Sequence, residues 1–473
     1  MSIFSESRAT PRVNLFFIAV LLKIVASALS AVGFVLLNPG FSISSTVVWL
    51  VFFVVLFLVA LPPVDVYLAE RLRWLKPAAL TITGIFCVIG ILLLVLATTY
   101  GLANIKSDKP EGEISRLMVS LDNVFGYNDA TALSHQAAKN LLEGENPYAT
   151  SNIVSATIQF NGSTDKLTPL RDGRFADVFP YPTPAELQGL WEDAAKDPSR
   201  IPPELESKFN YPALCFLLPA PFIAMGIGDM RLIYVIFLVP ALVYVVWKVP
   251  DEYRLFFIAA LIASVELWSS LAAGETGFLY FPFLLLAWVL YRKNLWASAI
   301  FMAIVVATKQ ITWFILPFYL IVIARTIGQR KALAVIGIIA GVFIAANAWF
   351  FAADPSLWVS SIFAPVTEKM FPLGVGIATL VTGGVLDIQT PLPFAITELT
   401  IFGAALVWYF FNCKRYPDTG PVLSILPLFF AWRSLWGYFF YVDIIILASI
   451  MINEYGARSD CKIENAPAVE TVR

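Results

Sequence analysis

Apolar residues in this chain gather in long runs, at roughly 14–37, 45–62, 79–100, 209–227, 230–247, 254–272, 276–291, 294–308, 311–325, 332–352, 373–386, 391–411, 419–434 and 436–452. A membrane helix needs about 20 predominantly apolar residues. Several runs fall short of that and are expected to be tilted, broken or re-entrant, which is tolerated only inside protein or beside a wet cavity. The pattern predicts an all-α bundle of about 11–14 crossings. One polar stretch, 101–208, interrupts it. A connection of that length carries structure of its own. Within it, Leu133, Ala137, Leu141 and Leu142 fall near one face of a helix over 129–143, with Gly144 as its stop and a turn at 145–148. This helix is expected to lie at the membrane surface.

Composition agrees with a polytopic membrane protein. Hydrophobic residues make up 59% and charged residues 14% of 473, against about 45–50% and about 25% in soluble domains. With a net charge of −2, nothing basic is left over to grip nucleic acid. The four cysteines avoid the polar stretch, so no disulfide framework or zinc site is visible. The first run follows a terminus without a small-residue cleavage site and reads as a retained helix. Basic residues set orientation. Arg8 and Arg12, then Arg71, Arg73 and Lys76, point to the cytoplasm, which puts 101–208 outside. That stretch holds ten Lys and Arg against sixteen Asp and Glu, a net charge of −6. Arg325, Arg330 and Lys331 mark another cytoplasmic turn, as do Lys414 and Arg415. If every run between 209 and 325 crosses once, the 325–331 turn lands outside; one run is therefore re-entrant, or two form one bent helix.

Candidate chemistry follows from charge placement. Asp129 heads the predicted surface helix, as a cap or as a general base facing the bilayer. Glu266, Glu275, Lys309, Glu398, Arg433 and Asp443 lie inside or at the ends of apolar runs, where charges face a cavity or pair together. Lys309 and Arg433 sit at run ends among aromatics, which suits a lipid phosphate or diphosphate. Lys23, in the first run, is expected to snorkel to a headgroup.

These features resemble the integral-membrane glycosyltransferases of the GT-C superfamily, in particular bacterial and archaeal enzymes that use a polyprenyl-phosphate sugar, often mannose. The resemblance is carried by Asp122 and Asp129 in the outer loop, LLEGENPY at 141–148, FNYPALCFLLPAP at 209–221, Lys309 followed by Pro317, and RSLWGYFF at 433–440. The chain departs from the family in having two added runs, at 14–62, before the span that opens into the loop, Ala130 rather than an aromatic after Asp129, and GETG at 274–277 where a Gly-Gln is common. The resemblance implies a GT-C-like bundle with one large structured extracytoplasmic loop. It implies an N-terminal hairpin and cytoplasmic link at 1–78, a catalytic module at 79–351, a C-terminal transmembrane region at 352–455 and a cytoplasmic tail at 456–473. Both termini would be cytoplasmic. It further implies transfer of a sugar from a polyprenyl-phosphate donor to a hydroxyl on a glycan, lipid or protein acceptor, by direct displacement with inversion. Asp129, or Asp122 in its place, would be the base; Arg433 and Lys309 would hold the donor phosphate; Tyr148, Tyr211, Glu275, Trp436 and Tyr438 would line the pocket. No cofactor is expected, and with no DxD-type run in the loop, no metal. The competing readings are a multi-pass transporter or lipid flippase, and a non-catalytic membrane assembly subunit.

Overall fold

Without water to serve it, a backbone in hydrocarbon must satisfy its own amides, and a helix does so within one segment. The computed structural model describes residues 11–36, 38–68, 75–104, 126–160 and 162–455, and is all-α apart from one two-residue strand pair among them. The chain runs through α1 (Pro11–Leu36), α2 (Pro39–Val59), α3 (Leu75–Asn104), α4 (Asp129–Leu142), α5 (Met230–Lys248), α6 (Asp251–Ala263) and α7 (Val265–Ala272). It continues through α8 (Phe281–Leu290), α9 (Leu295–Val306), α10 (Leu316–Thr326), α11 (Gln329–Ala353), α12 (Leu392–Asn412) and α13 (Val442–Ser449). Among the described residues, α1, α2, α3, α5, α11, α12 and the stretch Trp436–Tyr455 around α13 are long and apolar enough to cross a membrane. The bent pair α6–α7, turning by 49°, makes an eighth if taken as one span. The protein is a multi-pass helical membrane protein.

These seven or eight membrane-length helices among the described residues are fewer than the 11–14 expected crossings. α8 and α9 have 10 and 12 residues, about 15 and 18 Å of helix against a hydrocarbon core of about 30 Å. Runs 373–386 and 419–434 contain only the short α-helices Ala378–Thr382 and Gly420–Ile425. These runs are apolar because protein encloses them: eight of the ten α8 side chains are buried. A core and a bilayer select the same residues, so hydropathy alone does not separate them. α3 shows the contrast, since Ile85, Val88, Ile91, Leu92 and Val95 are exposed on a helix meant for lipid.

α1 and α2 form a hairpin. Asn38 caps α2 by accepting from the Gly40 amide, and the Oγ atoms of Ser30 and Ser45 touch across the pair. Small residues let membrane helices approach closely; a Cβ on Gly33 would come within 2.9 Å of Ser42 Oγ. Lys23 does not snorkel. It is fully buried, donating to Asp443 Oδ2 at 2.8 Å and lying 3.3 Å from Glu266 Oε2. An ammonium in the middle of α1 has no reach to a headgroup once α7 and α13 surround it, so pairing satisfies it instead. Glu266 and Asp443 are thereby structural partners. At the start of α1, buried Arg12 pairs with Asp65 at 2.9 Å and with Glu454. At the far end, Phe34 meets Tyr181 of the polar segment with ring centroids 5.3 Å apart. The Arg12 cluster and the polar segment therefore occupy opposite ends of α1. Arg8, Arg71, Arg73 and the 456–473 tail lie outside the described residues.

α4 starts and stops as expected: it spans Asp129–Leu142, and Gly144 adopts φ 82°. Its setting differs. Thr131 to Ala138 are buried in unbroken succession, around the whole circumference. α4 is a core helix packed under the polar segment, and only its last turn, with Leu142, is exposed. It is small-residue rich (Ala132, Ser134, Ala137, Ala138), and small side chains allow packing on all sides.

Candidate functional site

Where the polar segment meets the bundle there is a cavity of about 1710 Å³. One wall is polar. Asp129 enters it from the first position of α4. The capping role expected of Asp129 falls to Asn128, whose Oδ1 accepts from the Thr131 amide at 2.8 Å. Asp129 Oδ1 accepts only the neighbouring Ala130 amide, at 2.6 Å, and the half-buried carboxylate forms no ion pair among the described residues.

Lys309 stands at the break between α9 and the 310–314 turn, with extended backbone. Its ammonium donates to Thr276 Oγ1 and sits 4.7 Å from the Tyr211 ring centroid. Glu275 lies beside Thr276, on a turn that Gly274 makes at φ 72°. The turn is tied to α4 by the Thr131 hydroxyl, which donates to the Gly274 carbonyl, and to α5 by Arg231 Nε, which donates to the Ala272 carbonyl at 2.7 Å. Gly437 leaves room for Glu275: a Cβ there would lie 2.9 Å from its Oε2.

Arg433 is placed by strand pairing. β1 (Leu373–Gly374) and β2 (Arg433–Ser434) run parallel, with Leu373 opposite Arg433. Gly374 has φ 129°, and a Cβ on it would fall 2.0 Å from the Ser434 carbonyl oxygen, so only glycine permits this approach. The Trp432 indole donates to the Met370 carbonyl at 2.8 Å. Arg433 Nη2 donates to Thr168 Oγ1 at 3.1 Å, whereas its buried Nη1 has no partner. A buried guanidinium nitrogen with an unmet donor suits an anion.

Tyr211, Glu275, Trp436 and Tyr438 line the cavity, and Trp436 Nε1 is held by Ser270 Oγ at 2.9 Å. Tyr148 does not line it. It lies behind, among Phe209, Phe216 and Phe350, and donates to the Tyr211 carbonyl at 2.9 Å. Tyr148 thus supports the segment that carries Tyr211. Asp122 lies outside the described residues. The lining also has an apolar part, which includes Trp313, Phe314, Ile362, Phe363, Val366 and Leu392. Phe363, Val366 and Leu392 are also exposed. Glu398 faces the cavity from α12.

Lys166 and Glu206 are among the polar residues of the cavity that went unmarked in the sequence. Lys166 donates to the Gly126 carbonyl at 2.9 Å, and burial holds its ammonium below the ordinary lysine value while Glu275 opposes the shift. Glu206 is buried, its Oε2 has no partner, and burial pushes its carboxyl up to about 7. Nothing sets either apart among the many charges of the polar stretch. No group of three or more His, Cys, Asp or Glu is arranged to hold a metal among the described residues.

The chain matches no family model, no curated protein and no solved structure. The likeness to GT-C enzymes therefore rests on the residues of this chain alone, and function has to be argued from the cavity.

Proposed function

We propose that this protein is a membrane glycosyltransferase that moves a sugar, mannose in the first instance, from a polyprenyl-phosphate donor to a hydroxyl acceptor on the extracytoplasmic side. The observation that carries the reading is Arg433 Nη1, buried and unpartnered in a cavity that also receives Asp129 and Lys309. The cations supply a phosphate site, and the exposed apolar lining residues Phe363, Val366 and Leu392 suit an isoprenoid tail. Asp129 takes the proton of the attacking hydroxyl. The hydroxyl oxygen then forms a bond to the anomeric carbon as the bond to the phosphate oxygen breaks, with inversion. The phosphate leaves as an anion and needs no second acid; Arg433 and Lys309 stabilise the charge that develops on it. The polar segment faces outside and both termini face the cytoplasm on this reading, following the basic residues near α1 and α3.

The test is incubation of purified protein with radiolabelled polyprenyl-phosphate mannose and polyprenyl-phosphate glucose. Transfer of label to an added glycoside, or slow hydrolysis without one, is expected. Label that stays on the lipid in every case would sink the proposal.

A further inference from the structure

The polar segment also carries Glu206 to the cavity, and its surroundings differ from those of Asp129. Glu206 follows a short antiparallel contact in which Pro169 opposes Leu205. The Glu206 amide donates to the Thr168 carbonyl at 3.0 Å. Thr168 is the residue whose hydroxyl holds Arg433. The backbone thus sets Glu206 beside the proposed phosphate clamp. Glu206 Oε1 accepts the Lys208 amide at 2.9 Å, Oε2 is buried with no partner among the described residues, and the residue lines the cavity. The side chain is 5% exposed. An enclosed carboxyl oxygen left open in this way is costly unless a ligand completes it.

We propose that Glu206 is a specificity residue for the acceptor: its Oε2 hydrogen-bonds a hydroxyl next to the one that Asp129 deprotonates, so that the cavity takes a sugar ring or another polyol rather than a lone alcohol. This rests on the glycosyltransferase reading and adds the class of acceptor to it. The charged groups that face Glu206 are Lys208, two residues along the chain, Glu368 and Asp129. Lys208 pairs with Glu368; Glu368 pushes the Glu206 carboxyl up and Lys208 pulls it down. Burial, with Glu368 and Asp129 adding repulsion, keeps the carboxyl protonated up to about pH 7. In that form Oε2 donates a hydrogen bond to the acceptor oxygen. Once ionised it accepts only, and the like charge of Asp129 lies close by.

The experiment uses methyl α-mannopyranoside as probe and saturation-transfer NMR on purified full-length protein at pH 6 and pH 8.5. Wild type is expected to bind at pH 6 and to lose about tenfold in affinity at pH 8.5. Glu206→Gln, whose amide donates at any pH, keeps the pH 6 affinity at both; Glu206→Leu loses it at both. Absence of binding by wild type overturns the inference, as does Glu206→Leu binding like wild type, or Glu206→Gln following the wild-type pH dependence. Because the readout is binding, its failure is separable from that of the glycosyltransferase reading, which the donor-transfer assay decides alone.

Discussion

At the scale of single residues, the division of labour between Asn128 and Asp129 makes the base testable. Asn128 caps α4, so Asp129→Asn is expected to leave stability nearly unchanged while sugar transfer falls by roughly 100-fold or more. The same assay on Asp122→Asn decides between the two carboxylates; a dead Asp122→Asn beside an active Asp129→Asn would reverse their roles. Glu206 offers a stability test with a defined sign. Its carboxyl holds a proton more tightly in the folded protein, at about 7, than at the ordinary value of 4.5. Its contribution is therefore most favourable below about 4.5 and is lost as pH rises through 7, a change of at most about 3 kcal/mol. Glu206→Gln should flatten that part of the stability profile and raise the melting temperature at pH 8, as followed by thermal unfolding in detergent. An unchanged profile would show that the group does not titrate there. Lys309 and Arg433 stood out in the sequence as charges at the ends of apolar runs, and Asp129 as the head of a helix with a clear period and glycine stop. Glu206 did not, being one of sixteen acidic residues in a polar stretch, and only the fold shows that it is enclosed.

At the scale of elements, the β1–β2 contact is the most sensitive piece of the site. Gly374→Ala places a methyl on the Ser434 carbonyl and forces a backbone that alanine rarely adopts, a strain of about 1–3 kcal/mol. The pairing should open, and donor binding should weaken at least tenfold, as in Arg433→Ala, although residue 374 carries no charge. Donor affinity equal to wild type would mean that Arg433 is positioned by Thr168 and Trp432 alone. α4 was readable in its limits, because cap, period and glycine stop are local signals. Its burial was not, since the segments that cover it arrive from elsewhere in the chain. The same holds for Lys23. Its partner Asp443 lies 420 residues away, and a lone lysine in an apolar run suggests a headgroup until that distance is closed.

At the scale of the whole molecule, membrane sidedness and the buried triad make the remaining predictions. A single cysteine introduced at position 165 is expected to react with an impermeant thiol reagent in intact cells, in a background lacking the native cysteines. Protection there, with labelling only after lysis, would invert the topology. Lys23→Met should destabilise the protein by about 3–5 kcal/mol, because Glu266 and Asp443 would remain buried without a cation. Adding Asp443→Asn should restore part of that loss in the same thermal assay; a single variant as stable as wild type would show that the triad is not what joins α1 to the bundle. The triad also orders events during synthesis. Lys23 emerges near the beginning and Asp443 near the end, so at about 5–20 residues per second the lysine waits roughly 20–80 s for its partner. Until Glu266 emerges, earlier than Asp443, the first helix cannot settle at its final depth in lipid without leaving an ammonium unmatched, and until the last helix arrives it has only one of its two carboxylates. The insertion machinery, or the headgroup layer, must therefore shelter it during the first part of synthesis.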